Sequence, residues 1–244
     1  MRRDKSTLNW TFEAGEPLTW LAEANGLMWM QRELVHKKAI HGGLLNKSSG
    51  ILTELTFRAM LDELKIPHTA TESILDKNHS VNAGKIFDFR LSDGSTIDLK
   101  ALPPCNSKKE LKLNQKEAQY IGVCDYYVLY ACSGTYTHEE IQDMRSLDEQ
   151  SARLGEKIWR GIPNAEKAIA QSEFSKVRTK LHEYITKIKK IEFITFVKGK
   201  DLAQQENIKP GIFGDYYSLM VPDNLRLPFH SYQEFADLLH TTLP

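Results

Sequence analysis

Residues 85–101, Lys-Ile-Phe-Asp-Phe-Arg-Leu-Ser-Asp-Gly-Ser-Thr-Ile-Asp-Leu-Lys-Ala, constrain this chain more than any other segment. Apolar and polar residues alternate on both sides of Asp93-Gly94, the pattern of two antiparallel strands joined by a tight turn. A three-residue loop, Ser92-Asp93-Gly94, puts Gly94 in the left-handed conformation that glycine adopts without steric cost. In that register Leu91 pairs with Ser95, and Asp88 falls directly opposite Asp98. One face then carries Phe87, Phe89, Leu91, Ile97, Leu99 and Ala101. The other carries Ile86, Asp88, Arg90, Thr96, Asp98 and Lys100, and this clean segregation supports the register.

Two carboxylates facing each other across a strand pair repel. Lys100, two residues along the same face, is one source of compensating charge. A divalent cation is the better one, because hard cations take carboxylate oxygens. Two carboxylates and a lysine are also the parts needed to cut a phosphodiester. The metal neutralises phosphate charge and lowers the pKa of a bound water. The lysine orients or deprotonates that water, or stabilises developing negative charge. The bland alternative is a solvated hairpin face of mixed charge. The spacing acid-x-Lys occurs at Glu63-Lys65, Asp98-Lys100 and Glu110-Lys112. Only the second sits on an alternating strand with a paired upstream aspartate.

The surrounding chain reads as mixed α/β. Residues 1–16 suggest an irregular polar arm. A helix is predicted from Pro17 to about Ile40, with Leu18, Leu21, Met28 and Val35 as a loose apolar stripe, Leu27, Met30 and Leu34 on another side that points to burial on more than one face, and Gly26 as a point of interruption. Core packing is the favoured role for Trp20, Met28, Trp29 and Met30, ahead of base stacking. After His41-Gly42-Gly43, a second helix is predicted to start at Ser48-Ser49, with a serine cap, and to end before Pro67. Residues 68–82 read as polar loop. Pro103-Pro104 opens a basic loop over 102–113, followed by a short helix from Asn114 to Ile121. Cys124 to Ala131 reads as an interior strand. Thr137 to about Lys190 reads as two helices broken near Gly161-Ile162-Pro163. Strands at Ile191–Val197 and Tyr216–Val221 and a small helix at Ser231–His240 complete the prediction.

Composition narrows the class without naming a function. With 244 residues, 41% hydrophobic and 26% charged, the chain can bury a core without staples. It reads as a single domain over 1–244, with a core at about 50–131 and helical elements over 1–45 and 137–190. Thirty-two basic residues balance thirty-two acidic ones, so net charge neither requires nor excludes nucleic acid. Cys105, Cys124 and Cys132 fit no metal or disulfide spacing and are expected as buried thiols in a reducing cytosol. No transmembrane segment or signal peptide is expected.

Asp88, nine intervening residues, then Asp98-Leu99-Lys100 resembles the PD-(D/E)xK nuclease superfamily, which includes most type II restriction endonucleases. Gly50-Ile51-Leu52-Thr53-Glu54 resembles the glutamate-bearing helix that family often places before the hairpin. On a helical wheel Glu54 lies between Ile51 and Leu61 and points inward; an exposed glutamate favoured by the dipole of a first helical turn is the alternative. The order helix, hairpin, lysine-rich loop, helix, apolar strand also agrees, over residues 50–131. Phe87 replaces the family's proline, and Tyr120 is one residue off the Gln-x-x-x-Tyr spacing of RecB-like exonucleases.

The resemblance implies a restriction-endonuclease-like mixed sheet flanked by helices. It implies that Asp88, Asp98 and the Leu99 carbonyl bind Mg²⁺, with Glu54 as a further ligand, and that Lys100 serves the attacking water. It implies a site-specific double-stranded DNA endonuclease leaving 5′-phosphate and 3′-hydroxyl ends, in a prokaryotic cytoplasm, with a companion DNA methyltransferase. Lys108, Lys109 and Lys112 are candidates for phosphate contacts, and Asn114 and Gln115 for base edges. One site cuts one strand, so a homodimer is the economical arrangement. A structure-selective repair or recombination nuclease, or a DNA-binding protein with a purely structural hairpin, are the competing readings.

Overall fold

The computed structural model describes residues 2–3, 10–11, 17–37, 40, 42–70, 87–106, 111–114, 124–160, 163–200, 209–210, 216–219 and 237. Its strands are β1 (Arg2–Arg3), β2 (Trp10–Thr11), β3 (His68–Ala70), β4 (Phe89–Leu91), β5 (Thr96–Leu102), β6 (Leu111–Asn114), β7 (Tyr126–Gly134), β8 (Ile188–Lys198), β9 (Lys209–Pro210) and β10 (Tyr216–Leu219). Its helices are α1 (Pro17–Lys37), α2 (Leu44–Glu63), α3 (His138–Trp159) and α4 (Asn164–Thr186). Seven strands form one sheet in the order β1-β2-β8-β7-β5-β4-β3, and β6-β10-β9 form a small second sheet. Only the β5–β7 pair is parallel. The class is therefore α/β with a mixed sheet, as expected.

The apolar run in β7 explains its central place. Tyr126, Val128 and Tyr130 join Ile97, Leu99, Phe89 and Leu91 under Ile51, Leu52, Phe57, Met60 and Leu61 of α2. Tyr127 and Leu129 face the other way, with Leu102 and Val197. A strand buried on both faces needs apolar residues at successive positions, and β7 supplies them. A second core, with Met30, Leu34, Leu44, Leu45, Met144, Leu154, Leu181 and Tyr184, ties the four helices together.

Helix α2 does not start at a serine cap. It begins four residues before Ser48, at Leu44, and its N-cap is Gly43. Ser48 and Ser49 are buried inside the helix, and their hydroxyls donate to the Leu44 and Leu45 carbonyls at 2.7 and 2.8 Å. The cap comes from α3. Asp148 accepts from the backbone N–H groups of Gly43 (3.2 Å), Leu45 (2.7 Å) and Asn46 (3.2 Å), and the Ser151 hydroxyl accepts from Leu44 (2.9 Å). Four donors that a helix start leaves open are thus satisfied from about one hundred residues away. Gly43 permits this approach, since a Cβ there would lie 1.8 Å from the Asp148 carbonyl oxygen.

Helix α1 buries the second of its predicted sides, with Met30 and Leu34 buried and Leu27 half-buried, and turns most of the first outward. Leu21, Met28 and Val35 are exposed, as is Trp20; Met30 alone of the large set Trp20, Met28, Trp29 and Met30 is fully buried. The buried face also holds Thr19, Ala22, Glu23, Asn25 and Glu33. Partners on other helices explain it: Lys47 pairs with Glu33 at 2.8 Å, and Arg178 and His182 both bind Glu23. Gly26 does not interrupt the helix. It lets α2 come close, because a Cβ there would stand 2.9 Å from Ser48 Oγ.

Other corrections are local. The N-terminal arm contributes β1 and β2, and His68–Ala70 is a strand pairing with β4 rather than loop. Leu111–Asn114 is a strand, which replaces the end of the predicted basic loop and the first residue of the predicted 114–121 helix. The predicted break between two long helices is present, α3 opening with a Thr137–Glu140 capping box. The second helix ends at Thr186, and β8 begins at Ile188, three residues earlier than predicted. The predicted helix Ser231–His240 lies outside the described residues except Asp237. The three cysteines are buried free thiols. Among the described residues no helix is long and apolar enough to cross a membrane.

Asp148→Ala is expected to lower unfolding stability by about 2–4 kcal/mol, because it strands three N–H donors, two of them on the buried residues Gly43 and Leu45. Asp148→Asn, which keeps one acceptor, should lose roughly half as much. Urea denaturation followed by circular dichroism measures both.

Candidate active site

The hairpin forms about the expected turn. Gly94 has φ +88°, its N–H donates to the Leu91 carbonyl at 3.0 Å, and the Leu91 N–H donates to the Ser95 carbonyl at 2.8 Å. Phe89 pairs with Ile97 and Arg90 with Thr96. The simple register ends there. The Asp88 N–H also donates to the Ile97 carbonyl, at 2.8 Å. Two residues, Asp88 and Phe89, are therefore set against one, the signature of a β-bulge.

The bulge changes which face each residue takes. Phe87 was expected beside Phe89 and Leu91; it packs instead on the opposite face with Leu102, Tyr127 and Leu129. The Arg90 guanidinium lies 5.0 Å over its ring. Asp88 comes to the edge of β5, where its Oδ2 accepts from the Leu99 N–H at 2.7 Å. In an extended strand the N–H and C=O of one residue point to the same edge, so the Leu99 carbonyl shares the edge that Asp88 occupies. Asp98 is 5% exposed. Its Oδ2 pairs with Lys100 Nζ at 2.9 Å, and its side chain hydrogen-bonds with that of Asp88.

Burial pushes the Asp88 carboxyl up to about 7, and the charge of Glu54 pushes in the same direction; Lys100, the Leu99 N–H and the Asp98 side chain oppose them. The charge of Glu54 therefore reaches Asp88. Because α2 begins at Leu44, Glu54 sits three turns into the helix, and a first-turn dipole does not account for it. The structure thus brings together Asp88, Asp98, the Leu99 backbone and Lys100, and the charge of Glu54 is felt at Asp88.

The strand that carries them is fixed by a contact with no counterpart in the sequence reading. Asp125 Oδ2 accepts from both the N–H and the hydroxyl of Thr96, each at 2.8 Å, and the Asp125 N–H donates to Thr96 Oγ1 at 3.0 Å. This clamps the start of β5 to the start of β7. Beside it, burial and then the charge of Asp98 push the Cys124 thiol up to about 12. It donates to the Thr96 and Tyr126 carbonyls. A protonated thiol held in this way is no nucleophile.

Two of the candidate DNA contacts lie among the described residues. Lys112 and Asn114 lie on β6, opposite Ser218 and Tyr216 of β10, in the small sheet. Lys108, Lys109 and Gln115 lie outside the described residues. Among the described residues no group of three or more His, Cys, Asp or Glu side chains forms a ready metal cage. Comparison with protein-family models, curated proteins and solved structures yields no match for the chain.

A carboxyl whose folded pKa lies above its unfolded value favours folding at low pH. That contribution is complete below about 4 and disappears as pH rises through about 7. The metal-free protein is expected to lose up to about 4 kcal/mol of stability across that window through Asp88. Asp88→Asn should flatten the loss, leaving the variant more stable than wild type at pH 8 and similar at pH 4. Urea titrations at fixed pH, with a chelator present, check this.

Proposed function

We propose that this protein is a Mg²⁺-dependent endonuclease of double-stranded DNA with a restriction-endonuclease-like fold. The observation that carries the proposal is the convergence of Asp88, Asp98 and the Leu99 carbonyl edge beside Lys100, with Glu54 acting on the same cluster. The succession of α2, the β4–β5 hairpin and a crossover to the parallel strand β7 agrees with the order of elements on which the family resemblance rests.

The oxygen set suits Mg²⁺, which keeps several waters and takes one or two carboxylates rather than a full protein cage. Asp88, Asp98 and the Leu99 carbonyl would hold it, with Glu54 as a further carboxylate. When bound, the cation supplies charge neutralisation at the phosphate and an acidified water. Lys100, paired with Asp98, would orient that water or stabilise charge on the phosphoryl oxygens. The products are 5′-phosphate and 3′-hydroxyl ends. The lysines at 108, 109 and 112 are proposed to contact phosphates and the amides of Asn114 and Gln115 to reach base edges. A companion methyltransferase would protect host DNA.

Incubation of a long linear duplex with Mg²⁺ should give discrete fragments from wild type. Asp88→Ala, Asp98→Ala and Lys100→Ala should each lower the rate by at least about 10³-fold, and Glu54→Ala by a smaller factor. Calorimetry with Ca²⁺ should show binding that Asp88→Ala removes. Intact DNA with both linear and branched substrates, together with no metal binding, would leave the hairpin a structural element.

A further inference from the structure

The lysine of the acidic cluster is committed to Asp98, but a second cation lies on the neighbouring strand. Arg90 pairs with Thr96 across the β4–β5 hairpin and with Thr69 across the β3–β4 pair. Its neighbours Phe89 and Leu91 are buried under α2. Side chains alternate along a strand, so Arg90 takes the opposite face. Asp98 and Lys100 alternate in the same way with Ile97 and Leu99, which also lie under α2, and so they share the face of Arg90. Arg90 is the diagonal neighbour of Asp98 across the hairpin, a placement that separates two residues by roughly 7–8 Å.

Three carboxylates surround this position in the chain and the sheet. Asp88 is two residues away on the same strand, Asp98 lies diagonally across, and Asp125 is bonded to Thr96 directly opposite. Among the described residues Arg90 forms an ion pair with none of them. Its guanidinium lies instead 5.0 Å over the Phe87 ring, and that ring is itself packed against Leu102, Tyr127 and Leu129. Arg90 and Thr69 are both exposed. A guanidinium seated on a ring keeps its N–H fork in its own plane, clear of the ring, and that fork matches a phosphate. The seat also restricts rotamers that a long exposed side chain would otherwise lose on binding.

We propose that Arg90, seated on Phe87, is a phosphate subsite beside the Asp88–Asp98–Lys100 cluster, taking a phosphodiester of the bound DNA next to the one that is cut. This rests on the nuclease reading above and names a residue through which that site holds its substrate. An acidic cluster repels a polyanion until a cation fills it, and Arg90 supplies a fixed positive charge on the same face. Gripping a neighbouring phosphate sets the register of the strand over the cluster. Such a contact reads the backbone and not the bases, so its loss weakens binding to all sequences alike.

Fluorescence anisotropy of a dye-labelled random-sequence duplex, titrated with the full chain in Ca²⁺ over a range of KCl, tests it. Arg90→Gln, with an unchanged circular dichroism spectrum, should bind about tenfold more weakly and lower the slope of log affinity against log salt by about 0.9, the share of one phosphate contact. Arg90→Lys keeps the charge and should keep the slope, with a smaller loss of affinity. A merely structural arginine would leave the salt slope unmoved. Cleavage of duplex DNA by wild type in Mg²⁺, run alongside, separates this subsite from the nuclease reading. If wild type cuts and Arg90→Gln retains its affinity and slope, the subsite is overturned and the nuclease reading stands. If the slope falls as expected and wild type cuts nothing, the subsite stands and the nuclease reading falls. A wild type that binds no duplex overturns both.

Discussion

Strand β5 is committed on every side, and the rest of the molecule is arranged around that commitment. One edge pairs in parallel with β7, and the other pairs with β4 and receives the Asp88 carboxylate on the Leu99 N–H. One face lies under α2 through Ile97 and Leu99. The other carries Asp98, buried and paired with Lys100. The reciprocal Thr96–Asp125 hydrogen bonds fix where the strand begins. A polar cluster placed on so constrained a segment keeps its geometry, because neither edge nor face is free to slide.

That placement has an energetic cost, visible at Asp88. A carboxyl removed from water, under the charge of Glu54, keeps its proton up to near neutral pH, although Lys100, the Leu99 N–H and the Asp98 side chain pull the other way. A fold selected for stability alone would have no reason to gather these groups. On the proposed reading, the same crowding is what offers a hard cation its oxygens, and a bound cation would relieve the repulsion.

The helical layer delivers Glu54 by an indirect route. Its helix is anchored at Leu44 by Asp148 and Ser151 of α3. Burial raises the Asp148 carboxyl above its ordinary range, against the pull of the Asn46, Gly43 and Leu45 N–H groups. The start of α2, the helix that carries Glu54, thus depends on a helix far along the chain. Helix α1 follows the same logic: its inward glutamates are satisfied by Lys47, Arg178 and His182, on other helices.

The local code was legible where a residue's conformation depends on its near neighbours. The alternation around Asp93-Gly94 determined the turn and the Leu91–Ser95 pairing, the apolar run at 126–131 determined an interior strand, and Thr137 with Glu140 capped α3. The proximity of Asp98 and Lys100 follows from two-residue periodicity alone. Long-range partners decided the rest. The bulge at Asp88 sends Phe87 to the other face, a departure that strict alternation cannot contain. Gly43 caps α2 because a carboxylate about one hundred residues on reaches its donors, so the serines that look like a cap are interior. The buried face of α1 holds two glutamates beside Ala22, Met30 and Leu34 because their counter-charges sit on α2 and α4. In each case sequence alone determined what a segment could form with its own neighbours, and only the tertiary structure decided which donors, charges and faces met, since those depend on groups brought together by folding.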